Sequence, residues 1–245
     1  MNSNYFHIVM ISVITAAYNS ENDLPGLIQS LRNQSDKDFE WVIADGASTD
    51  KTLKILRDIS DINIIITSCP DFGVYDGLNR AIKKANGLYY LVCGSDDILD
   101  VNAISNFKKA IIDTNADILV AKYTDIHCDV CGVKKYRWLH GTSAIMSSHS
   151  VGMVFRRSLH DKYGYYSNMY PICADKLFIE NVIRAESVIA HCDFIAGQFS
   201  GTGISSKLVV NTLCENFCIN ILFGENKFIQ LILLFMRLLK NISKI

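Results

Sequence analysis

Proline is scarce in this chain, three among 245 residues, so neither a polyproline linker nor a proline-rich low-complexity segment can be built from it. Neither charge sign prevails. The 24 basic and 25 acidic residues leave a formal net charge of −1, which excludes the global basic field that recruits nucleic acid. No run reaches the ~18 uninterrupted apolar residues that a membrane span needs. The apolar run from Ile8 to Ala17 lacks a basic leader and a small-residue cleavage signal, so a first strand is expected there rather than a signal peptide. The eight cysteines are irregularly spaced, as in a reduced, cytoplasmic chain rather than a disulfide framework. Cys128 and Cys131 form one C-x-x-C, but no second pair stands at zinc-ligand spacing. Internal repeats are absent.

What the chain does have is Leu88–Asp100, L-Y-Y-L-V-C-G-S-D-D-I-L-D, an apolar run ending abruptly in Gly94-Ser95-Asp96-Asp97. A run of that length before a glycine reads as a buried strand, and the carboxyl end of such a strand is where open α/β sheets bind ligands. Adjacent carboxylates repel and are costly to desolvate, so a cation is the expected offset. The competing reading is an Asp-rich turn capping a helix near Val101.

Strand and helix patterns alternate through the first half. Strands are expected at Ile8–Thr15, Phe39–Ala44 and Ile62–Thr67, with helices over Leu24–Asn33, from Ser48 or Thr49 to Ile59, and over Tyr75–Asn86 with Gly87 as its C-terminal stop. That pitch means βαβ units and a mainly parallel sheet flanked by helices. The loops after the strands then gather along one edge, bringing together Thr15, Tyr18 and Asn19, then Asp45, Gly46, Ser48 and Asp50, and finally Ser95, Asp96 and Asp97. A flat ring with hydrogen-bonding edges and a ribose fit the first two clusters. Asp45 can accept from a ring N–H and Asp96 from ribose hydroxyls. A diphosphate would lie nearer Asp97, bridged by a divalent cation, since both supply hard oxygen ligands. Locally each cluster also reads as a turn or a cap; their convergence is what points to a site.

Four stretches in order, Thr15-Ala16-Ala17-Tyr18-Asn19, Asp45 to Thr52, Gly73 to Ile82 with Ala85-Asn86-Gly87, and Gly94-Ser95-Asp96-Asp97, resemble the nucleotide-sugar motifs of the family 2 glycosyltransferases. The resemblance covers roughly the first 100 residues, with weaker matches beyond. It implies an α/β, GT-A fold, Rossmann-like, divided into 1–205, with a nucleotide-sugar half (1–100) and an acceptor half (101–205), and a C-terminal helical extension over 206–245. It also implies base binding at Asp45, ribose contact at Asp96 and Mg²⁺ or Mn²⁺ at Asp97, and it adds Asp76 and Asn79 to the donor-binding set. The motif is S-D-D rather than D-x-D, which leaves one clear protein ligand and a weakly held ion. The implied partners are a nucleoside-diphosphate sugar, UDP-sugars first among them, and a saccharide or lipid-linked saccharide acceptor, as in bacterial surface-polysaccharide enzymes. A non-catalytic nucleotide-sugar binder shares these motifs. A sugar nucleotidyltransferase normally carries a Gly-rich loop after strand one, and Ala16–Asp23 contains no glycine.

In the second half, Ile118–Tyr123 continues the sheet, Cys128–Trp138 reads as a hairpin about Asp129–Gly132, and Val151–Phe155 is a short strand. His149, just before that strand, matches a segment of the same subgroup that carries a His near substrate. Cys173-Ala174-Asp175-Lys176 opens a helix, placing Asp175 in a first turn, where N–H groups and the helix dipole favour an anion; an ordinary cap is the plain reading. The resemblance makes Asp175 the catalytic base of an inverting transfer, the last Asp of a Glu-Asp or Ala-Asp pair in that family; here the partner position is Ala174, so no second carboxylate is expected beside it. Phe199 to Ser205 resembles a Gly-rich loop that follows the last strand in related enzymes. From Lys227 to Ile245 the polar residues fall on one side of a helix and apolar ones cover the rest. That helix is expected to pack on protein, as a homodimer contact for instance, or to lie in the inner face of the cytoplasmic membrane with its basic stripe toward headgroups.

Overall fold

The computed structural model describes residues 10–127, 129–134, 136, 139, 141–146, 149–201, 203 and 207–242. The first strand, β1, is Ile11–Ala17, and Ile8 and Val9 lie outside the described residues. It is followed by α1 (Leu24–Arg32), β2 (Phe39–Asp45), α2 (Thr52–Arg57), β3 (Ile64–Ser68), α3 (Val74–Lys84) and β4 (Tyr89–Val92). Then come β5 (Ile98–Leu99), α4 (Ala103–Thr114), β6 (Ile118–Thr124), β7 (Val130–Cys131), β8 (Met153–Arg156), α5 (Leu159–Tyr163), α6 (Ala174–Arg184) and β9 (Ile189–Gln198). Two helices, α7 (Val209–Leu222) and α8 (Lys227–Lys240), end the described chain.

All nine strands form one mixed sheet in the order β3-β2-β1-β4-β8-β6-β9-β5, with β7 beside β6. The first four are mutually parallel, β8 runs against β4 and β6, and β9 is parallel to β6. Side-chain alternation divides the core into two layers, as the period of two in a strand requires. Ile11, Val13, Trp41, Ile43, Tyr89 and Leu91 pack beneath α1, α2 and α4, whereas Ile14, Val42, Ala44, Tyr90 and Val92 pack against α3, α5 and α6. A sheet covered on both faces explains why these strands read as nearly continuous apolar runs.

Three local expectations need correction. Helix α2 starts at Thr52, not at Ser48 or Thr49, because those two residues bond to the β1 loop instead: Asn19 N donates to Ser48 Oγ at 2.8 Å and the Thr49 backbone N to Asn19 Oδ1 at 2.9 Å. Helix α3 ends at Lys84 with Ala85 extended, so Gly87 is not its stop. A Cβ on Gly87 would stand 2.5 Å from Ser12 Oγ, so glycine is needed there for the chain to cross β1 closely. The hairpin is made by β6 and β7 around Asp125–Asp129, with Tyr123 opposite Cys131, rather than around Asp129–Gly132; Cys128 and Trp138 lie outside the described residues. Besides these, β5 and α5 carry no prior signal, since two and five residues are too short for periodicity to register. No helix among the described residues is long and apolar enough to cross a membrane.

Candidate active site

Strand directions dictate where the site forms. Because β1, β2 and β4 are parallel, their carboxyl ends share one edge, and because β8 is antiparallel to β4, the residues preceding β8 arrive at that same edge. Strand β9 ends there too, its Gln198 paired with Ile98 immediately after the acid pair. A cavity of about 880 Å³ opens at this edge, lined among others by Tyr18, Asp71, Ser95, Asp96, Asp97, His149, Asp175 and Phe199.

The acid pair forms one wall. Asp97 is 1% exposed, and its carboxylate accepts from Gly94 N at 3.0 Å and from Ser200 N at 3.2 Å. Burial, then the neighbouring Asp96, push its pKa up to about 6. Asp96 accepts from the Ser200 hydroxyl. The loop after β9 is thereby fastened onto the acid pair; of its remaining residues Thr202, Ile204 and Ser205 lie outside the described set. His149 stands near Asp96, its ring stacked on Phe199 with centroids 3.3 Å apart. Burial lowers its pKa to about 4, and its Nδ1 has no hydrogen-bond partner among the described residues. The ring belongs to the cavity lining, and this buried nitrogen keeps a hydrogen-bonding capacity that the described residues leave unused.

Asp175 forms the opposite wall, in the first turn of α6. Burial raises its pKa despite hydrogen bonds from Tyr75 and from Lys176 N, each at 2.7 Å, that favour the anion. Tyr75 Oη also lies 2.9 Å from Ile172 O. A phenol has one proton, so the two contacts are both satisfied only when Asp175 itself carries a proton and gives it to Tyr75 Oη. With Asp175 ionised, the phenol proton turns to the carboxylate. Tyr75 therefore supports both protonation states of that carboxyl.

The amino end of α6 has no side-chain cap of its own. Glu215 on α7 supplies one across space, accepting from Ile172 N at 3.1 Å and Cys173 N at 2.8 Å. Lys176, beside Asp175, reaches the other way, to Asn216 Oδ1 at 2.9 Å and Asn220 Oδ1 at 2.7 Å. Burial lowers its pKa to about 8.

Of the residues expected at the site, Tyr18, Ser95, Asp96, Asp97, His149 and Asp175 line the cavity. The others lie around it and bond to protein. Thr15 is fully buried, donating to Cys93 O and accepting from Trp41 Nε1. Asp45 is fully buried, accepting from Ser48 N at 3.1 Å and Ser68 Oγ at 2.7 Å. Asp50 accepts from Glu21 N and Thr52 N, while Ser48 and Asn19 join the same two loops. Asp76 accepts from Phe72 N, and Asn79 pairs doubly with the Tyr166 backbone. Gly46 lies so close to Asp71 that a Cβ there would be 2.8 Å from Asp71 Oδ2. Asp71 and Glu215 carried no sequence signal of a site role, and Tyr75 and Lys176 were legible only as members of the Gly73–Ile82 motif and of the helix start at Asp175, because their roles depend on partners far along the chain.

Among the described residues no cluster of three His, Cys, Asp or Glu side chains could hold a metal on its own. Two adjacent carboxylates on the cavity wall, Asp97 with its pKa raised by burial and then by Asp96, fit an ion bound through Asp97 and completed by diphosphate oxygens and water.

The chain is similar to known proteins in sequence and in fold. A "PGL/p-HBAD biosynthesis glycosyltransferase" of Mycobacterium bovis is 30% identical over 175 residues, 68% of this chain and 66% of that protein. The chain thus spans about two thirds of that relative's length. WfaP of Escherichia coli, a UDP-Glc:alpha-D-GlcNAc-diphosphoundecaprenol beta-1,3-glucosyltransferase, is 36% identical over 98 residues, 40% of this chain and 39% of WfaP. The structure of Staphylococcus aureus TarS 1-349 in complex with UDP-GlcNAc superposes with a TM-score of 0.71 at 20% identity, over 96% of this chain and 73% of that one, which establishes a shared GT-A architecture. The family model for glycosyl transferase family 2 matches residues 12–174, and the chain belongs to that family.

Proposed function

We propose that the chain transfers a sugar from a nucleoside-diphosphate sugar to an acceptor hydroxyl with inversion at the anomeric carbon, in the assembly of a bacterial surface polysaccharide or glycolipid. The observation that carries the reading is one cavity with the acid pair Asp96-Asp97 on one wall and the buried, Tyr75-bonded Asp175 on another. UDP-sugars are the first donors to try, since WfaP is named for UDP-Glc and TarS binds UDP-GlcNAc.

In this mechanism Asp96 takes ribose hydroxyls, and Asp97 would hold Mg²⁺ or Mn²⁺ against the diphosphate. Such an ion supplies positive charge where the leaving diphosphate gains negative charge. Asp175 accepts the proton of the acceptor hydroxyl while that oxygen bonds to the anomeric carbon, and the bond from that carbon to the diphosphate oxygen breaks with its electron pair on the diphosphate. Tyr75 then accepts from the protonated Asp175 and donates to Ile172 O, so the proton stays within a satisfied pair. No covalent enzyme intermediate enters. His149 offers Nδ1 to the donor near Asp96.

Asp45, Asn19, Ser48 and Asp50 support base binding by shaping the paired loops that flank the ring, and Asp71, whose carboxylate lines the cavity, joins them. Incubating the purified chain with a panel of nucleotide sugars and Mn²⁺ tests the reading: cation-dependent release of nucleoside diphosphate from one donor is expected. Tight nucleotide-sugar binding with no turnover on any donor or acceptor would mark a non-catalytic binder instead.

A further inference from the structure

Helix α8 presents its apolar face outward. Its buried side chains are Gln230 and Leu233. Gln230 Oε1 accepts from Asn220 Nδ2 at 2.8 Å, and Arg237 Nη2 donates to Leu139 O at 2.6 Å, so much of the polar side of the helix is spent on the protein. Phe228 is 79% exposed and Phe235 62%. Leu231, Ile232, Met236 and Leu239 are exposed with them. A continuous apolar helix face left to water marks an interaction surface.

Charge decides what covers it. From Asn226 to Ile245 the charged residues are Lys227, Arg237, Lys240 and Lys244, with no acid among them. Lys227 and Lys240 are exposed at the two ends of the helix. A second copy docked through the same face would set these cations against one another without an acidic partner on the helix. An anionic lipid surface supplies the missing charge and takes the apolar side chains into its acyl boundary. At 14 residues the helix is too short to span and suits the plane of the interface.

The packed side of α8 is tied to the cavity wall. Helix α7, on which α8 packs, contributes Thr212 and Asn216 to the cavity lining. A polar chain runs from Lys176, next to Asp175, through Asn220 to Gln230 of α8. Both helices lie beyond residues 12–174, where the family match ends. We propose that α8 seats the protein on an anionic bilayer surface and thereby holds the Asp175 wall of the cavity beside an acceptor carried on a lipid. The acceptor clause rests on the glycosyl-transfer reading; the docking clause does not.

The test is co-sedimentation of the full chain, without nucleotide, with vesicles of phosphatidylglycerol and phosphatidylcholine or of phosphatidylcholine alone. Binding to the anionic vesicles is expected to be about tenfold or more stronger and to weaken with salt. Ile232→Glu with Phe235→Glu should cut binding by about tenfold or more with circular dichroism and donor hydrolysis unchanged. Lys227→Glu with Lys240→Glu, far from any packed contact, should abolish the preference for anionic lipid even if the first pair proves unstable. Equal sedimentation of wild type and both variants overturns the proposal. So does a wild-type dimer that the first pair makes monomeric without any lipid partitioning. Lipid binding without turnover on any donor would leave the docking standing and strike only the transfer reading.

Discussion

The loops that flank the cavity beside β1 and β2 and the wall at Asp175 are built on different principles. On the side of β1 and β2, neighbouring loops clasp each other through short polar side chains, Asn19 to Ser48 and Thr49, Glu21 to Asp50, Asp45 to Ser48 and Ser68. On the side of Asp175 each tie spans a long stretch of chain, from Tyr75 to Asp175, Glu215 to Cys173, and Lys176 to Asn220. The first form a rigid cradle that local motifs specify. The second exists only once the helices of both halves have packed.

That contrast can be broken experimentally, beginning where the effect is largest. Asp97→Asn should lower cation-dependent turnover by about two orders of magnitude or more while the protein stays folded, because the charge at the diphosphate is removed. Full activity in that variant would remove Asp97 from the site. Glu215→Ala should reduce transfer about 10–100-fold by letting α6 shift, and cost about 2–3 kcal/mol of stability by leaving the Ile172 and Cys173 N–H groups without an acceptor. Donor affinity measured by calorimetry should hold; a matching loss of affinity would place Glu215 in donor binding. Asp45→Ala should have the reverse pattern, weakening nucleotide binding and costing about 1–3 kcal/mol in urea unfolding, since Ser48 N and Ser68 Oγ lose a buried acceptor. Unchanged stability would show that this clasp carries no weight.

The smallest effect is that of pH. Burial holds His149 and His160 at about 4 in the folded chain, below the ordinary 6.5. Between those values the unfolded chain binds protons that the folded one refuses, so the stability these imidazoles confer is complete above pH 6.5 and is lost as pH falls toward 4. Asp97, raised to about 6, acts oppositely and loses stability as pH rises from 3.8 to 6. Two imidazoles against one carboxyl leave a net loss on acidification, on the order of 2 kcal/mol, readable by urea titration at pH 7 and 4.5. In Asp97→Asn the loss should be steeper. Greater stability at pH 4.5 than at pH 7 would contradict the buried, neutral state of both rings.

The same contrast explains what was legible in advance. Strand runs such as Phe39–Asp45 and Tyr89–Val92 announce themselves because both faces are buried, and Gly94-Ser95-Asp96-Asp97 marks the functional edge because a parallel strand end has one geometric meaning. Asp45 and Asp50 were legible as parts of a motif, but the motif does not say whether a carboxylate faces a ligand or ties two loops. Thr15 shows the same limit: its position was readable, and its bonds to Cys93 and Trp41 were not. Glu215 left no local trace, and Tyr75 was visible only as a member of the Gly73–Ile82 motif, since their meaning comes from partners 42 and 100 residues away. The tail was readable as amphipathic, but only packing reveals that Gln230 and Arg237 turn inward and Phe235 outward.

The central claim, that the cavity binds donor on one wall and activates acceptor from the other, is tested most directly by Asp175→Asn in paired measurements of donor binding by calorimetry and transfer rate with cation present. Donor affinity within about twofold of wild type and transfer lowered about 10²–10⁴-fold is the predicted result. Loss of donor affinity with the residual transfer rate intact would contradict it, leaving Asp175 a structural residue of α6 and the base elsewhere.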